Sequence, residues 1–592
     1  MTDKYYIMYN PLTFNLMDIL GNCSTSLDLL SYLSGLDTSK LSAGNYLDFL
    51  SLDLSKQRKG MVETLGVESY AAQYIANQIV KIDTDARVIL ADGKRRNLQD
   101  IIKENGKPDA VFITSMSSNF PTVIANVIPL NFAKIPVIIG GIHASTSPDD
   151  VDTFIKSNVP YPELVSQVKG GGDSEVISEI LFDLEEKVLK SEYIGNKTIE
   201  DGVWGQDNID NLPPMKLKLL KKVPIIGRFI ANSFRMNPIT PYLGCPYSCN
   251  FCSISTIPKN QRQFVSRSPE DFVSELKNFQ KNGTNFNNRF FFFLPDNLLL
   301  GGKKLEEILD KIIDSDLKIN YASQISIEVA NNENLLEKLR LSGATHFFIG
   351  FESLDIKNLE YIGKNMVKDV KKSGLTLSEY YTKQIKKIQD KGISVHGAFI
   401  FGLPYDYYNS SNNHTGIDIG NFCIENHIGL QPCSLTDLPG SKNYLESVKK
   451  GTFLYGQPGT MDHLLSYCVS DLTEMNRTPP KLLFESPLLV FYMAYQAIQK
   501  VGLINNTLSS ALFTMKKSFL NLTKKGNVSF KEKLIDAFYA FVAPLVVSQY
   551  KEHGEAIAYS RNGIKGSFER LYNLEKNDCI KELLGDYVKK FM

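Results

Sequence analysis

The 592-residue sequence predicts an α/β protein in three parts. These are a doubly wound, Rossmann-like domain over residues 1–195, a partial (β/α)6 barrel of the TIM type over 238–440, and a helical carboxy-terminal part over 441–592, with a linker at 196–237. Three observations predict this. Short apolar runs alternate with helical periods twice over, first up to about residue 140 and again from Pro238. A Gly, Asn and Asp-rich passage containing NLPPMK separates the two series. The chain is also too long for a single hydrophobic core.

In the first series, KYYIMYNP, ARVILAD, DAVFITSMSS and PVIIGGIHAS read as strands. VESYAAQYIANQIVKI, NLQDIIKEN and TVIANVIPLNFAK read as the helices between them. Apolar runs of this length between helices imply a parallel sheet covered on both faces, whose ligand lies at the carboxyl ends of the strands. The second series offers six strands: ITPYL, RFFFFLPD, INYASQISIEV, THFFIGFES, ISVHGAFIFGLP and IGLQPCSLTDLPG. Helical stretches such as PEDFVSELKNFQKNG and NENLLEKLRLSG separate them, so six βα units in series predict an open or closed barrel with its chemistry on the loops after the strands. From Ser441 the chain is helix-rich and aromatic, and no internal repeat is visible.

Composition narrows the function classes. Lys plus Arg and Asp plus Glu number 65 each, so no overall field recruits nucleic acid or an anionic membrane. The opening MTDKYYIMYNP lacks the basic-then-apolar order of a secretory signal and reads as a strand. No uninterrupted apolar stretch is long enough for a transmembrane segment; LLFESPLLVFYMAYQAI and LIDAFYAFVAPLVVSQY carry Glu485 and Asp536 and read as buried helices. Eight cysteines are too few for a disulfide framework, which points to a reducing cytoplasm. The basic, amphipathic stretch from Met215 to Met236 is interrupted by Pro224 and Gly227 and reads as a segment packed between domains.

PYLGCPYSCNFCSIS concentrates three of the eight cysteines, Cys245, Cys249 and Cys252, in eight residues. Chance placement would give roughly 0.0015 such triplets in this chain. A structural zinc site wants four protein ligands, and no Cys or His follows at finger spacing. Three thiolates on one tight loop can each reach a different iron of a cubane and leave the fourth iron open, as a catalytic metal requires. A partial zinc site or a redox loop is the competing reading.

CPYSCNFC at the end of a first barrel strand resembles the radical S-adenosylmethionine (SAM) superfamily. The resemblance implies a [4Fe-4S] cluster on Cys245, Cys249 and Cys252 whose open iron chelates SAM, and a one-electron reductant such as flavodoxin or ferredoxin. It extends along the barrel. Phe251 is the family's usual aromatic between the last two cysteines. Asp296 and Asn297, ending RFFFFLPDN, stand where the family holds the SAM amino group; Glu352 and Ser353, ending THFFIGFES, face the ribose by analogy. Gly397, Ile400 and Gly402 in GAFIFGLP resemble the adenine contact. Ser326 and Glu328 alternate with apolar neighbours in ISIEV, which would project them inward from a strand. Cys433 reads as an inert thiol near the barrel mouth, His346, His396 and His427 receive no role, and no catalytic side chain is assigned.

The first domain resembles the cobalamin-binding domain that precedes the barrel in one subgroup of the superfamily. Three segments carry the likeness: PDAVFITSMSSN with Ser115, Ser117 and Ser118, VIIGGIHAST with Gly140, Gly141 and His143, and VKGGGDSEVISEIL with Gly170 and Gly172. Small residues at successive strand ends open the flat shelf that a corrin ring requires. Two departures stand out. Gly171 and Asp173 replace the acidic residues usual in the last motif, and the Asp-x-His-x-x-Gly signature of a cobalt-ligating histidine is missing, which leaves the lower axial ligand open. His143 reads as structural or as a ring-edge contact rather than a cobalt ligand.

The resemblance implies methyl transfer to an unactivated carbon, or to phosphorus, through a 5′-deoxyadenosyl radical and methylcobalamin, with a small molecule or peptide as substrate. A rearrangement or oxidative cyclisation without methyl transfer is the alternative within enzymes; a non-catalytic iron–sulfur scaffold or sensor is the alternative outside them. A methylthiolating enzyme of transfer RNA would bring three more cluster cysteines in the first domain, where only Cys23 is found.

Overall fold

The computed structural model describes residues 4–11, 69–212, 237–281, 290–451, 487–501 and 511–517, apart from short gaps and single positions inside these spans, and a few isolated positions beyond them. The stretch from Met215 to Met236, Cys23, Cys468, Cys579 and most of the carboxy-terminal part lie outside the described residues.

The first sheet has seven parallel strands: β1 (Tyr5–Tyr9), β2 (Arg87–Ala91), β3 (Ala110–Thr114), β4 (Val137–Gly140), β5 (Val165–Gly170), β6 (Glu192–Gly195) and β7 (Ile209–Asp210), in the order β6-β5-β4-β3-β1-β2-β7. β1 shows why its sequence is apolar throughout. Tyr5, Ile7 and Tyr9 pack into one core beneath the helices Leu98–Asn105 and Phe120–Phe132. Tyr6 and Met8 pack into the other, beneath Tyr70–Ile82 and Ser174–Glu186. The chain reverses direction between β1 and β3, the place where a doubly wound fold opens its ligand crevice. β7 carries this sheet to Asp210, beyond residue 195 where the sequence reading ended the domain. Its two residues are too few to show a strand period, and pairing with β2 alone reveals them.

The second sheet has six parallel strands: β8 (Asn237–Ile239), β9 (Phe290–Phe293), β10 (Asn320–Gln324), β11 (Ala344–Glu352), β12 (Ser394–Phe401) and β13 (Gly429–Ser434). They pair in simple succession with β8 and β13 at the edges, so the barrel is open. Alternation sorts the side chains. Phe291 and Phe293 join the core against the outer helices, while Phe292 meets Phe348 across the barrel interior. Two predicted strands end early. ITPYL breaks at Thr240, after which Tyr242–Leu243 pairs antiparallel with Val265–Ser266. INYASQISIEV stops at Gln324, because the Asn297 side chain accepts the Ser326 N–H at 3.1 Å and a 3₁₀ turn begins at Ile327. Ser326 and Glu328 therefore sit on a turn at the barrel rim, not on a strand.

Of the carboxy-terminal part, helix Pro487–Val501 lies against helix Thr415–Glu425 and β13. The contact is close: a Cβ on Gly416 would come within 2.1 Å of the Met493 carbonyl oxygen.

Candidate active site

The cysteine loop leaves the carboxyl end of the first barrel strands and is held from three sides. The Gly244 N–H donates to Asp296 Oδ2 at 2.7 Å, Asn250 Nδ2 donates to the Tyr361 carbonyl at 3.0 Å, and the Asn443 N–H donates to the Asn250 carbonyl at 3.1 Å. Cys245, Cys249 and Cys252 are half-buried and unbridged. Burial pushes all three thiols up, Cys252 to about 11, so ionisation needs a compensating cation. Among the described residues no three Cys, His, Asp or Glu side chains converge as a single ion requires. Sulfurs spread along one loop suit a cubane in which each binds its own iron.

Across the mouth stands Glu352, the last residue of β11. A register shift precedes it, and its φ of 65° is left-handed, uncommon for a residue with a Cβ. Lys364 holds the carboxylate from Nζ at 2.8 Å and also donates to the Gly350 carbonyl at 3.2 Å. Any side chain on Gly350 would meet Glu352 Oε1 at 2.3 Å. Burial works against the Lys364 charge, but Glu352, with Cys249 and Glu328 behind it, carries its pKa upward. Glu328 is raised by burial and drawn back by the same lysine. Nothing in the local sequence marks Lys364; its partner lies twelve positions earlier, beyond any strand or helix period.

The remaining predicted contacts divide. Asn297 caps the turn Leu298–Gly301 and binds Ser326 through backbone and hydroxyl, so both serve the rim. Ser353 accepts from the Asp355 N–H and from Asn358 Nδ2, and Asn358 in turn donates to Asp406 at 3.0 Å. Asp406 accepts the N–H groups of Gly402 and Leu403, which fixes the turn after β12; burial pushes its carboxyl up to about 7. Ile400 lies opposite Cys433 near the carboxyl ends of β12 and β13. Gly397, expected to approach a base, faces the other way: a Cβ there would meet the Phe351 and Phe399 rings at 2.9 and 3.0 Å, on the side packed against the helices. Phe251 packs against the barrel core.

A cavity of about 550 Å³ occupies the carboxyl ends of β3, β4 and β5 and reaches Leu243, Gly440 and Leu445 on the barrel side. Gly140, Gly141, Gly170, Gly171 and Gly172 line it. A Cβ on Gly140 would meet no atom within 4 Å, so its bare face looks into the cavity. Gly141 and Gly171 are needed for close chain passage instead: a Cβ on either would come within 2.4 and 2.1 Å of the carbonyl oxygens of Ser115 and Asn196. The apolar lining and the glycine shelf suit a flat macrocycle. Ser115, Ser117 and His143 lie behind it. The Ser115 hydroxyl donates to the Gly140 carbonyl, and the fully buried His143 meets Ser117 through Nδ1 at 3.1 Å and Asp150 through Nε2 at 3.2 Å. Asp173 caps helix Ser174–Glu186 and accepts the Asn196 N–H.

The radical SAM superfamily profile matches residues 239–410. The bacteriochlorophyllide d C-8(2)-methyltransferase of Chlorobaculum tepidum is 23% identical over 457 residues, covering 75% of this chain and 88% of that one. The anaerobic magnesium-protoporphyrin IX monomethyl ester cyclase of Rubrivivax gelatinosus is 22% identical, covering 53% and 56%. Among solved structures, the radical SAM methyltransferase TsrM from Kitasatospora setae, with cobalamin and a [4Fe-4S] cluster bound, superposes with a TM-score of 0.50 at 11% identity, over 94% of this chain and all of that one. Residues 239–410 thus match a radical SAM domain, and the doubly wound domain ahead of this open barrel shares its fold with the corresponding part of that solved structure.

Proposed function

We propose that the protein is a cobalamin-dependent methyltransferase that uses SAM and a [4Fe-4S] cluster to methylate an unactivated carbon, or phosphorus, of a small molecule or peptide. The observation that carries this reading is the cavity that runs from the glycine shelf of the first sheet to Leu243, two residues before Cys245. Two sites at strand carboxyl ends thus face one another. When bound, the cluster and SAM supply a radical able to remove a hydrogen whose proton is too weakly acidic for a side-chain base, and the corrin supplies the methyl group.

The chain's own residues bind and orient. Cys245, Cys249 and Cys252 would hold three irons of the cluster and leave the fourth open for SAM. Lys364 fixes the Glu352 carboxylate beside Gly350, where it would meet the nucleoside, and Asp296 braces the loop through Gly244. Gly140 clears the shelf for the macrocycle, while Gly170 and Gly172 line it and let Gly195 and Ile75 pack close. The methyltransferase relative supports this reading, and the cyclase relative supports a second, oxidative cyclisation without methyl transfer. No helix among the described residues is long and apolar enough to cross a membrane, which fits an enzyme served by a flavodoxin or ferredoxin in a reducing cytoplasm.

The test is anaerobic reconstitution with cobalamin and assay of the SAM products. Methyl transfer yields 5′-deoxyadenosine together with S-adenosylhomocysteine; cyclisation yields the first alone. Protein without bound corrin after reconstitution would rule out the methylation reading.

A further inference from the structure

Lys197 is the one charged side chain among the described residues that line the inter-domain cavity. It belongs to the amino-terminal domain, on the segment after β6, and its placement follows from close backbone packing. Asn196 donates its N–H to Asp173, the residue that caps helix Ser174–Glu186. The Asn196 carbonyl lies where a Cβ on Gly171 would stand. The segment is therefore anchored, and Lys197 projects from a fixed point. Lys197 lines the cavity together with Leu243, two residues before Cys245, and the anionic groups that act on it belong to the other domain: Asp296, which braces the cysteine loop, and Cys245, its first thiol. Burial lowers the Lys197 pKa, and these two groups draw it back.

Three thiolates on the loop and the carboxylate that braces it concentrate negative charge at one place, and adding an electron to a cluster there adds more. A cation nearby favours the reduced form.

We propose that Lys197 is a positioning residue through which the amino-terminal domain acts on the iron–sulfur site, raising the cluster's reduction potential by way of Cys245 and Asp296. The inference rests on the cluster assignment of Cys245, Cys249 and Cys252. It makes electron uptake depend on a docked first domain, because the cation arrives only with that domain.

The experiment uses the full chain, reconstituted anaerobically, in an EPR-monitored potentiometric titration of wild type, Lys197→Met, Lys197→Gln and Lys197→Arg. At the wild-type midpoint the reduced-to-oxidised ratio falls roughly tenfold in the two neutral variants, equivalent to about 59 mV for one electron. Lys197→Arg keeps the wild-type midpoint. Neutral variants with full iron content and an unshifted midpoint overturn the proposal and leave the cluster assignment standing, as does an arginine variant shifted as far as methionine. Wild-type protein that takes up no iron overturns both.

Discussion

Acid should loosen the seat of helix Pro487–Val501 through one residue, His414. Its side chain is fully buried, caps helix Thr415–Glu425 by accepting the Gly416 N–H on Nδ1 at 3.1 Å, stacks on Tyr408 at 5.4 Å and meets Tyr492 at a tilt, 5.9 Å away. Tyr492 belongs to the neighbouring helix, so ring, cap and helix contact share one site. Burial lowers the His414 pKa from 6.5 to about 4, only partly opposed by the Ser411 backbone and by Asp418. Because the folded value lies below the unfolded one, the unfolded chain binds the proton first as pH falls. The stabilisation is complete above pH 6.5 and is lost as pH drops through 4. A shift of two and a half units corresponds to about 3 kcal/mol. Protonation also removes the Nδ1 acceptor, so the cap is lost together with the burial. The assay is urea unfolding at pH 7 and pH 4 of wild type and His414→Asn, a replacement that keeps a capping acceptor but cannot titrate. Wild type should lose about 3 kcal/mol more than the variant between the two pH values. Equal losses would refute the reasoning.

Further outcomes follow from the site and from its supports. Replacing Cys245, Cys249 or Cys252 with Ala should abolish iron–sulfur absorption and 5′-deoxyadenosine formation while leaving corrin uptake intact, since the two sites lie on different sheets. Gly140→Leu should cut corrin loading by tenfold or more with little loss of stability, because its Cβ enters open cavity and its φ is not left-handed; absorption after reconstitution reads it. Arg267 is buried between Asp271, met at 2.7 Å, and Glu275, so Arg267→Met should cost about 3–5 kcal/mol by stranding Glu275. The double variant Arg267→Met, Glu275→Leu should regain most of that in denaturant unfolding.

What was legible in the sequence was local. Strand order needs only apolar runs and helical periods, so five of the six barrel strands and the first four of the amino-terminal sheet are readable, whereas ITPYL shares only Ile239 with the observed first barrel strand. The cysteine loop declares itself because its three ligands fall within eight residues. What was hidden depends on facing and on distance. Gly397 and Ile400 sit three positions apart in GAFIFGLP, and the pleat that sends Gly397 toward Phe351 is set by strand pairing rather than by composition. Ser326 reads as strand until Asn297, 29 positions earlier, takes its N–H. Lys364 and Lys197 carry no periodic signal, because each acquires meaning only from a residue on another element, Glu352 in one case and Asp296 in the other.

The contacts that join the two domains bring the glycine shelf and the cysteine loop to one cavity. The Ser268 N–H donates to Asp201 and the Gly202 N–H donates to Asp271, crossing from the segment after β6 to the first barrel helix. Above this crossing Tyr70, Tyr74 and Trp204 pack against Leu243 and Val265, with ring centroids of Tyr70 and Trp204 5.1 Å apart. Leu243 lies two residues before Cys245, and Tyr70 opens the helix that walls the cavity. The same apolar cluster therefore sets the distance from shelf to thiols. Arg267, beneath it, spends a buried charge on holding Asp271 where Gly202 can reach it. A hydrophobic replacement would pack as well, yet it would free Asp271 from its orienting partner. The buried arginine thus serves both the stability of the barrel helix and the crossing between the domains.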